Sequence, residues 1–176
     1  MTIARVLAVA AMLTTSTLGF AGHASADQVM EGVYGYDQGD IKAEWTIYPS
    51  CVPTVGDLRD NLELPVACRL HVAPNSPRIN GGDARLTGGL WTFSTSVKEG
   101  FPCPDGDGFA PVVETYEFDD ATMSGKRSTA NSAACNGTVG AKIVVSPFTL
   151  SYSRPLPIPV DRYPLYCEPG GLKRCF

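Results

Sequence analysis

Histidine, basic clusters and long helical patterns are all scarce in this chain. Two histidines occur in 176 residues, and His23 lies in an N-terminal stretch that reads as removable. No C-x-x-C pair exists, and the closest cysteines, Cys167 and Cys175, have seven residues between them. Zinc sites draw on close cysteine pairs and histidines, so neither a metal nor another cofactor is expected. No G-x-S-x-G elbow occurs, so a Ser-His-acid triad would have to be built on His71 alone. Lys and Arg total 14 against 18 Asp and Glu, and no basic run appears. That balance excludes nucleic acid as a natural partner and disfavours adsorption to an anionic membrane surface. After residue 26 no amphipathic pattern sustains three helical turns; residues 56–64 allow one short turn at most. With 18 Gly and 14 Pro, long helices have little room.

What is present begins with a leader. Arg5 and the amino terminus supply a positive end, Val6 to Leu13 a short apolar run, and Ala24-Ser25-Ala26 a small-x-small cleavage site. Residues 1–26 therefore read as a signal peptide cut after Ala26. An uncleaved anchor over residues 3–22 is the rival, weakened by Thr14, Thr15, Ser16 and Thr17 within the span. No cysteine follows the cleavage site at once, which argues against a lipid anchor. Cleavage removes Arg5 and no acid, taking the formal charge from −4 to −5. The mature chain is expected to be secreted or held in the cell envelope, with no integral membrane segment.

Beyond the leader, period two dominates. Cys68, Leu70 and Val72 alternate with Ala67, Arg69 and His71. Trp91, Phe93, Thr95 and Val97 alternate with Leu90, Thr92, Ser94 and Ser96. Phe148, Leu150 and Tyr152 alternate with Thr149, Ser151 and Ser153. Such alternation marks half-buried antiparallel strands. Further strands are predicted over 32–36, 43–48, 83–86, 112–118 and 122–128, separated by turn chemistry such as Asn80-Gly-Gly-Asp83 and Thr87-Gly-Gly89. Seven or eight short strands imply an all-β antiparallel meander forming a sandwich or barrel-like domain over residues 27–153. Glu44-Trp-Thr-Ile-Tyr48 faintly echoes Leu90-Trp-Thr-Phe-Ser94, but the echo does not continue on either side. Residues 154–176 form a separate tail. Arg154-Pro-Leu-Pro-Ile-Pro159 cannot join a sheet centrally and is expected to be extended, with Leu156, Ile158 and Val160 strapped across the sheet; the alternative is that the tail and its terminal cysteine ring face a partner.

All six cysteines, Cys51, Cys68, Cys103, Cys135, Cys167 and Cys175, follow the leader, as expected of a disulfide-stapled exported protein. Six thiols allow about 15 connectivities. Sequential pairing, Cys51–Cys68, Cys103–Cys135 and Cys167–Cys175, is preferred, because a meander brings the ends of neighbouring hairpins together.

Candidate chemistry is thin. His71 is expected to face solvent beside Arg69. Glu114, Glu117, Asp119 and Asp120 cluster near one turn, and a Glu114/Asp119 pair opening into a pocket would suit an acid-driven hydrolase. Lys126 and Arg127 on the next strand are expected to meet Glu117 or Asp119 as surface ion pairs. Pro104-Asp-Gly-Asp-Gly108 opens like a calcium loop, but Phe109 and Ala110 stand where an oxygen ligand and a glycine would continue it. Trp45, Trp91, Phe93, Tyr34, Tyr36, Tyr48, Tyr116 and Phe118 read mainly as core. Asn136-Gly-Thr138 fits an N-glycosylation sequon.

Several of these segments carry a resemblance. Trp45-Thr-Ile-Tyr-Pro with Cys51, Cys68-x-Leu-His-Val72, Asp83-Ala-Arg-Leu-Thr with Trp91-Thr-Phe93, Cys103-Pro-Asp-Gly106, Tyr116-Glu-Phe-Asp119, Leu156-Pro-Ile-Pro159 and Cys167-Glu-Pro-Gly-Gly-Leu172 with Arg174-Cys-Phe176 stand in this chain. Together they resemble a group of small exported mycobacterial proteins without an assigned activity. The resemblance spans nearly the whole chain after the leader. It implies export and a shared fold, and brings no catalytic residues with it.

The expected function is therefore a non-catalytic binding or interaction domain, whose partner is a protein, glycan or lipid of the envelope or exterior. The alternatives are a small exported hydrolase using acidic residues and a purely structural envelope protein.

Overall fold

Eight strands, each antiparallel to the next, close into an up-and-down barrel. The computed structural model describes residues 29–51, 67–106 and 108–162. In chain order the strands are β1 (Gly32–Gln38), β2 (Ile41–Cys51), β3 (Cys68–Pro74), β4 (Gly82–Thr87), β5 (Leu90–Pro102), β6 (Phe109–Asp119), β7 (Ser124–Asn131) and β8 (Lys142–Arg154). The last strand returns to pair with the first, so the ring is complete. Each of the eight strands overlaps a segment that alternation and turn residues predict, but β5, β6 and β8 run further, β8 beginning at Lys142 rather than Phe148. The alternative of two stacked sheets is not taken.

Alternation sets the inside and the outside. On β6, Ala110, Val112, Glu114, Tyr116 and Phe118 are buried, while the residues between them are not. Trp45 lies at the centre of the core, fully buried. Around it stand Tyr36, Phe148, Tyr116, Phe118 and Phe93, with ring centroids 4.7–6.2 Å from its own. Interior space for these rings is made by Gly125, where an added Cβ would come within 2.5 Å of the Phe148 ring. Aromatic side chains thus fill the middle of the barrel.

Two disulfides pin opposite ends. Cys51 and Cys68 face each other across β2 and β3, and Cys103 joins Cys135 between the β5–β6 and β7–β8 connections. Cys167 and Cys175 lie outside the described residues. Past β8 the chain runs back along one barrel end. There Cys51 N–H donates to the Arg162 carbonyl at 2.6 Å, and the Arg162 guanidinium pairs with Glu31 at 2.8 Å. Leu156 and Val160 are half-buried along this path, whereas Ile158 is 74% exposed. Ile158 therefore takes no part in the expected strap, and the segment does not keep the period-two alternation that would place it beside Leu156 and Val160.

Strand lengths differ, and this shapes the molecule. β4 pairs with β5 only through Leu90–Thr92, and β1 pairs with β8 only from Thr149 onward. Beyond these points β5, β6, β7 and β8 continue together as a four-stranded lip. The Cys103–Cys135 bridge lies at the far end of this lip.

Candidate functional site

Three groups of side chains stand out against the aromatic core and the ordinary polar exterior. The first is polar and internal. Glu114 points inward from β6 and is 4% exposed. Arg127 on β7, diagonal to it, donates to its Oε1. The Tyr116 hydroxyl donates to Glu114 Oε2 at 2.9 Å, and Asn80 Nδ2 donates to the same oxygen at 3.1 Å. The Arg127 guanidinium also reaches the Arg78 carbonyl at 3.3 Å and lies 5.7 Å from the centre of the Tyr116 ring. Arg78, Ile79 and Asn80 belong to the β3–β4 loop, and Ile79 is buried. The cluster therefore ties that loop across the barrel end at the foot of the lip. Desolvation pushes the Tyr36 and Tyr116 hydroxyls well above the ordinary tyrosine range, so both remain donors. The Arg127 guanidinium is likewise held charged: burial opposes its charge, but the hydrogen bond to Glu114 leads the opposing causes, and the net shift is upward. Trp45 Nε1 and Arg127 Nε are buried without a hydrogen bond to protein.

Arg127 corrects the sequence reading. Lys126 does meet Glu117, at 3.1 Å on the outer surface. Its neighbour Arg127 must then face inward, where Glu114 receives it. Asp119 takes neither cation; its Oδ1 accepts the Ala121 and Thr122 amides of the β6–β7 turn at 2.8 and 3.0 Å. Glu114 and Asp119 thus lie on opposite faces of β6 and do not open into one pocket. Asp120 accepts the Trp91 indole N–H at 3.0 Å.

The second group is apolar and external. On the outer face of the lip, Val113, Ala130 and Ile143 lie in one row across β6, β7 and β8. Val113 is 45%, Val145 56% and Ile143 69% exposed. Phe109, at the start of β6, is also exposed, and Pro111 lies between it and Val113 on the same face. An open groove of about 640 Å³ runs here, lined by Pro111, Val113, Ala130, Ile143, Ala141 and Lys142. Single exposed apolar side chains are ordinary, but a contiguous set on rigid strands is not.

Beside this row, among the described residues, runs a strand edge that no other strand pairs with. Leu150 N–H donates toward the β7 side, to the Met123 carbonyl at 2.8 Å. By period two, the N–H groups of Phe148, Ser146, Val144 and Lys142 also face β7. Those of Val145 and Ile143 face the other way, where β1 has already ended. Pro147 has no N–H to offer on that edge, which limits uncontrolled pairing at one end of it.

The third group is the surroundings of His71. His71 does lie on the outer face with Arg69, and Asp83 stands directly opposite it on β4. Its Nδ1 is 2.6 Å from Asp83 Oδ1, and its ring stacks on Tyr48 at 4.9 Å. Spacing along the chain gives no sign of this contact, which depends on the β3–β4 register.

The remaining predicted features take simpler places. Asp105 and Gly106 lie in the β5–β6 turn, with Gly106 N–H donating to Cys103 O at 3.0 Å; Asp107 lies outside the described residues. Asn136 is exposed in a 3-10 turn over Cys135–Gly137. Among the described residues no three His, Cys, Asp or Glu converge as metal ligands, and no helix is long and apolar enough to cross a membrane. No family model matches this chain, and no curated protein or solved structure matches it.

Proposed function

We propose that this protein is an exported, non-catalytic binding domain that captures an extended apolar segment of a partner protein on the outside of its lip. The observation that carries the reading is the free edge of β8 lying next to the exposed row Val113, Ala130, Ile143. A strand added to this edge would gain main-chain hydrogen bonds from Ile143 and Val145. Its outward side chains would extend the apolar row. This is recognition by strand addition, in which backbone gives affinity and side-chain pockets give selectivity.

Export is supported by the leader over residues 1–26, by the two disulfides and by the resemblance to exported mycobacterial proteins. The absence of catalysis is the simpler reading of the carboxylates: Glu114 holds the β3–β4 loop through Arg127 and Asn80, and Asp119 caps a turn.

The test is fluorescence anisotropy of a labelled ten-residue peptide of alternating valine and threonine, titrated with the oxidised protein lacking residues 1–26. Binding is expected to be saturable. Val145→Pro, which removes an edge donor but keeps an apolar surface, should weaken it about tenfold, the loss of one or two hydrogen bonds. Ile143→Asp should weaken it similarly. Equal binding by wild type and Val145→Pro, or no saturation, would overturn the reading.

A further inference from the structure

The far side of the barrel carries a cationic patch that its own acids do not balance. Arg69 on β3 stands directly opposite Arg85 on β4. Directly opposed residues on one sheet face have Cβ atoms about 5 Å apart, and like charges so placed are destabilising. One carboxylate is at hand, that of Asp83, one row along. It is committed first to His71, at 2.6 Å, and reaches Arg69 only at 3.4 Å. Arg85 is exposed and makes no ion pair or hydrogen bond among the described residues. Glu117, two strands away in the row of Arg85, is engaged by Lys126.

The local charge is therefore positive on a chain whose formal net charge is −4. His71 adds geometry to this charge. With Nδ1 held by Asp83 and the ring stacked on Tyr48, its orientation is fixed, and among the described residues its Nε2 has no partner. His71 follows Arg69 by two positions, on the same face.

We propose that Arg69, Arg85 and His71 form a binding site for a tetrahedral oxyanion, a phosphate or sulfate group. Two guanidinium forks on adjacent strands offer paired N–H donors matched to such a group, and its charge relieves the repulsion between them. The imidazole Nε2 provides a third contact, which donates when the ring is protonated. Asp83 serves as orienter of His71 and keeps the net charge low enough to make the anion exchangeable. The site is independent of the lip, which lies on β5 to β8. The same group can arrive as a free ion, on a sugar or on a lipid headgroup, and the chemistry of the patch suits each.

Nuclear magnetic resonance separates these sources. The oxidised protein lacking residues 1–26, labelled to report arginine Nε–H and the histidine ring, is titrated at fixed ionic strength. The titrants are inorganic phosphate, glucose 6-phosphate, and vesicles of phosphatidylinositol in phosphatidylcholine against phosphatidylcholine alone. Saturable shifts of Arg85 and His71 are expected. Response to the two soluble phosphates assigns a free or sugar-borne group; response to the anionic vesicles alone assigns a headgroup. Arg85→Gln should weaken the interaction about tenfold, Arg85→Lys should fall between, and Lys142→Gln, on the lip, should leave it unchanged. Absence of saturation with every titrant, or equal shifts of His71 in Arg85→Gln, would overturn the proposal.

Discussion

At the scale of single residues, Arg127 is the most consequential side chain outside the aromatic core. It satisfies Glu114, touches the Arg78 carbonyl and covers one face of Tyr116. Arg127→Met should destabilise the fold by about 3 kcal/mol, because Glu114 would be left buried without its counter-charge. The double variant Glu114→Leu with Arg127→Met should recover much of that loss, since the uncompensated charge disappears with it. Urea unfolding of the three proteins checks both statements. An unchanged midpoint for Arg127→Met would show that the pair contributes little. The residue also illustrates how far a sequence can be read. Its strand was legible, but which face of β7 it occupied was not. Lys126 and Arg127 are both basic, so alternation of charge could not choose between them. The choice is made by Glu114 across the barrel wall and by Asn80, 34 positions from it in the chain.

Among elements, the far part of the lip is what alternation concealed. Trp91 to Val97, which enters the near part of the lip, and Phe148 to Tyr152 are announced because one face is packed and the other solvated; the far part of the lip is not. Ile143-Val144-Val145 is apolar at every position and is followed by Ser-Pro, so it gives no period and lies in none of the predicted strands. It forms strand nevertheless, because β7 supplies partners from Ser124 to Asn131. The lip also has its own staple. A bridge across the 32-residue separation of Cys103 and Cys135 contributes roughly 3–4 kcal/mol in the chain-entropy view, provided that the lip unfolds with the barrel. Replacing both cysteines by alanine should instead loosen the lip first. Amide exchange should rise over 98–101, over 109–110 and at Lys142 and Val144, while Trp45 and Phe118 amides stay protected. Uniformly faster exchange over all eight strands would show that lip and barrel open as one unit.

On the scale of the whole molecule, the barrel has divided its exterior. β2, β3 and β4 present Tyr48, His71, Asp83 and two arginines, while β6, β7 and β8 present valine, isoleucine and proline. The interior has no part in either surface, being filled by rings around Trp45 and closed at the lip end by Ile79. A closed ring would normally leave no strand edge for a partner. Here uneven strand lengths restore one, next to the exposed Val113, Ile143 and Val145. Hydrogen exchange at individual amides of β8 tests that arrangement most directly. In the isolated protein, Ile143 and Val145 should exchange fast and Val144 and Ser146 slowly, and the valine–threonine peptide should slow Ile143 and Val145 at least about tenfold. Slow exchange of Val145 before any peptide is added, or no change on its addition, would contradict the account.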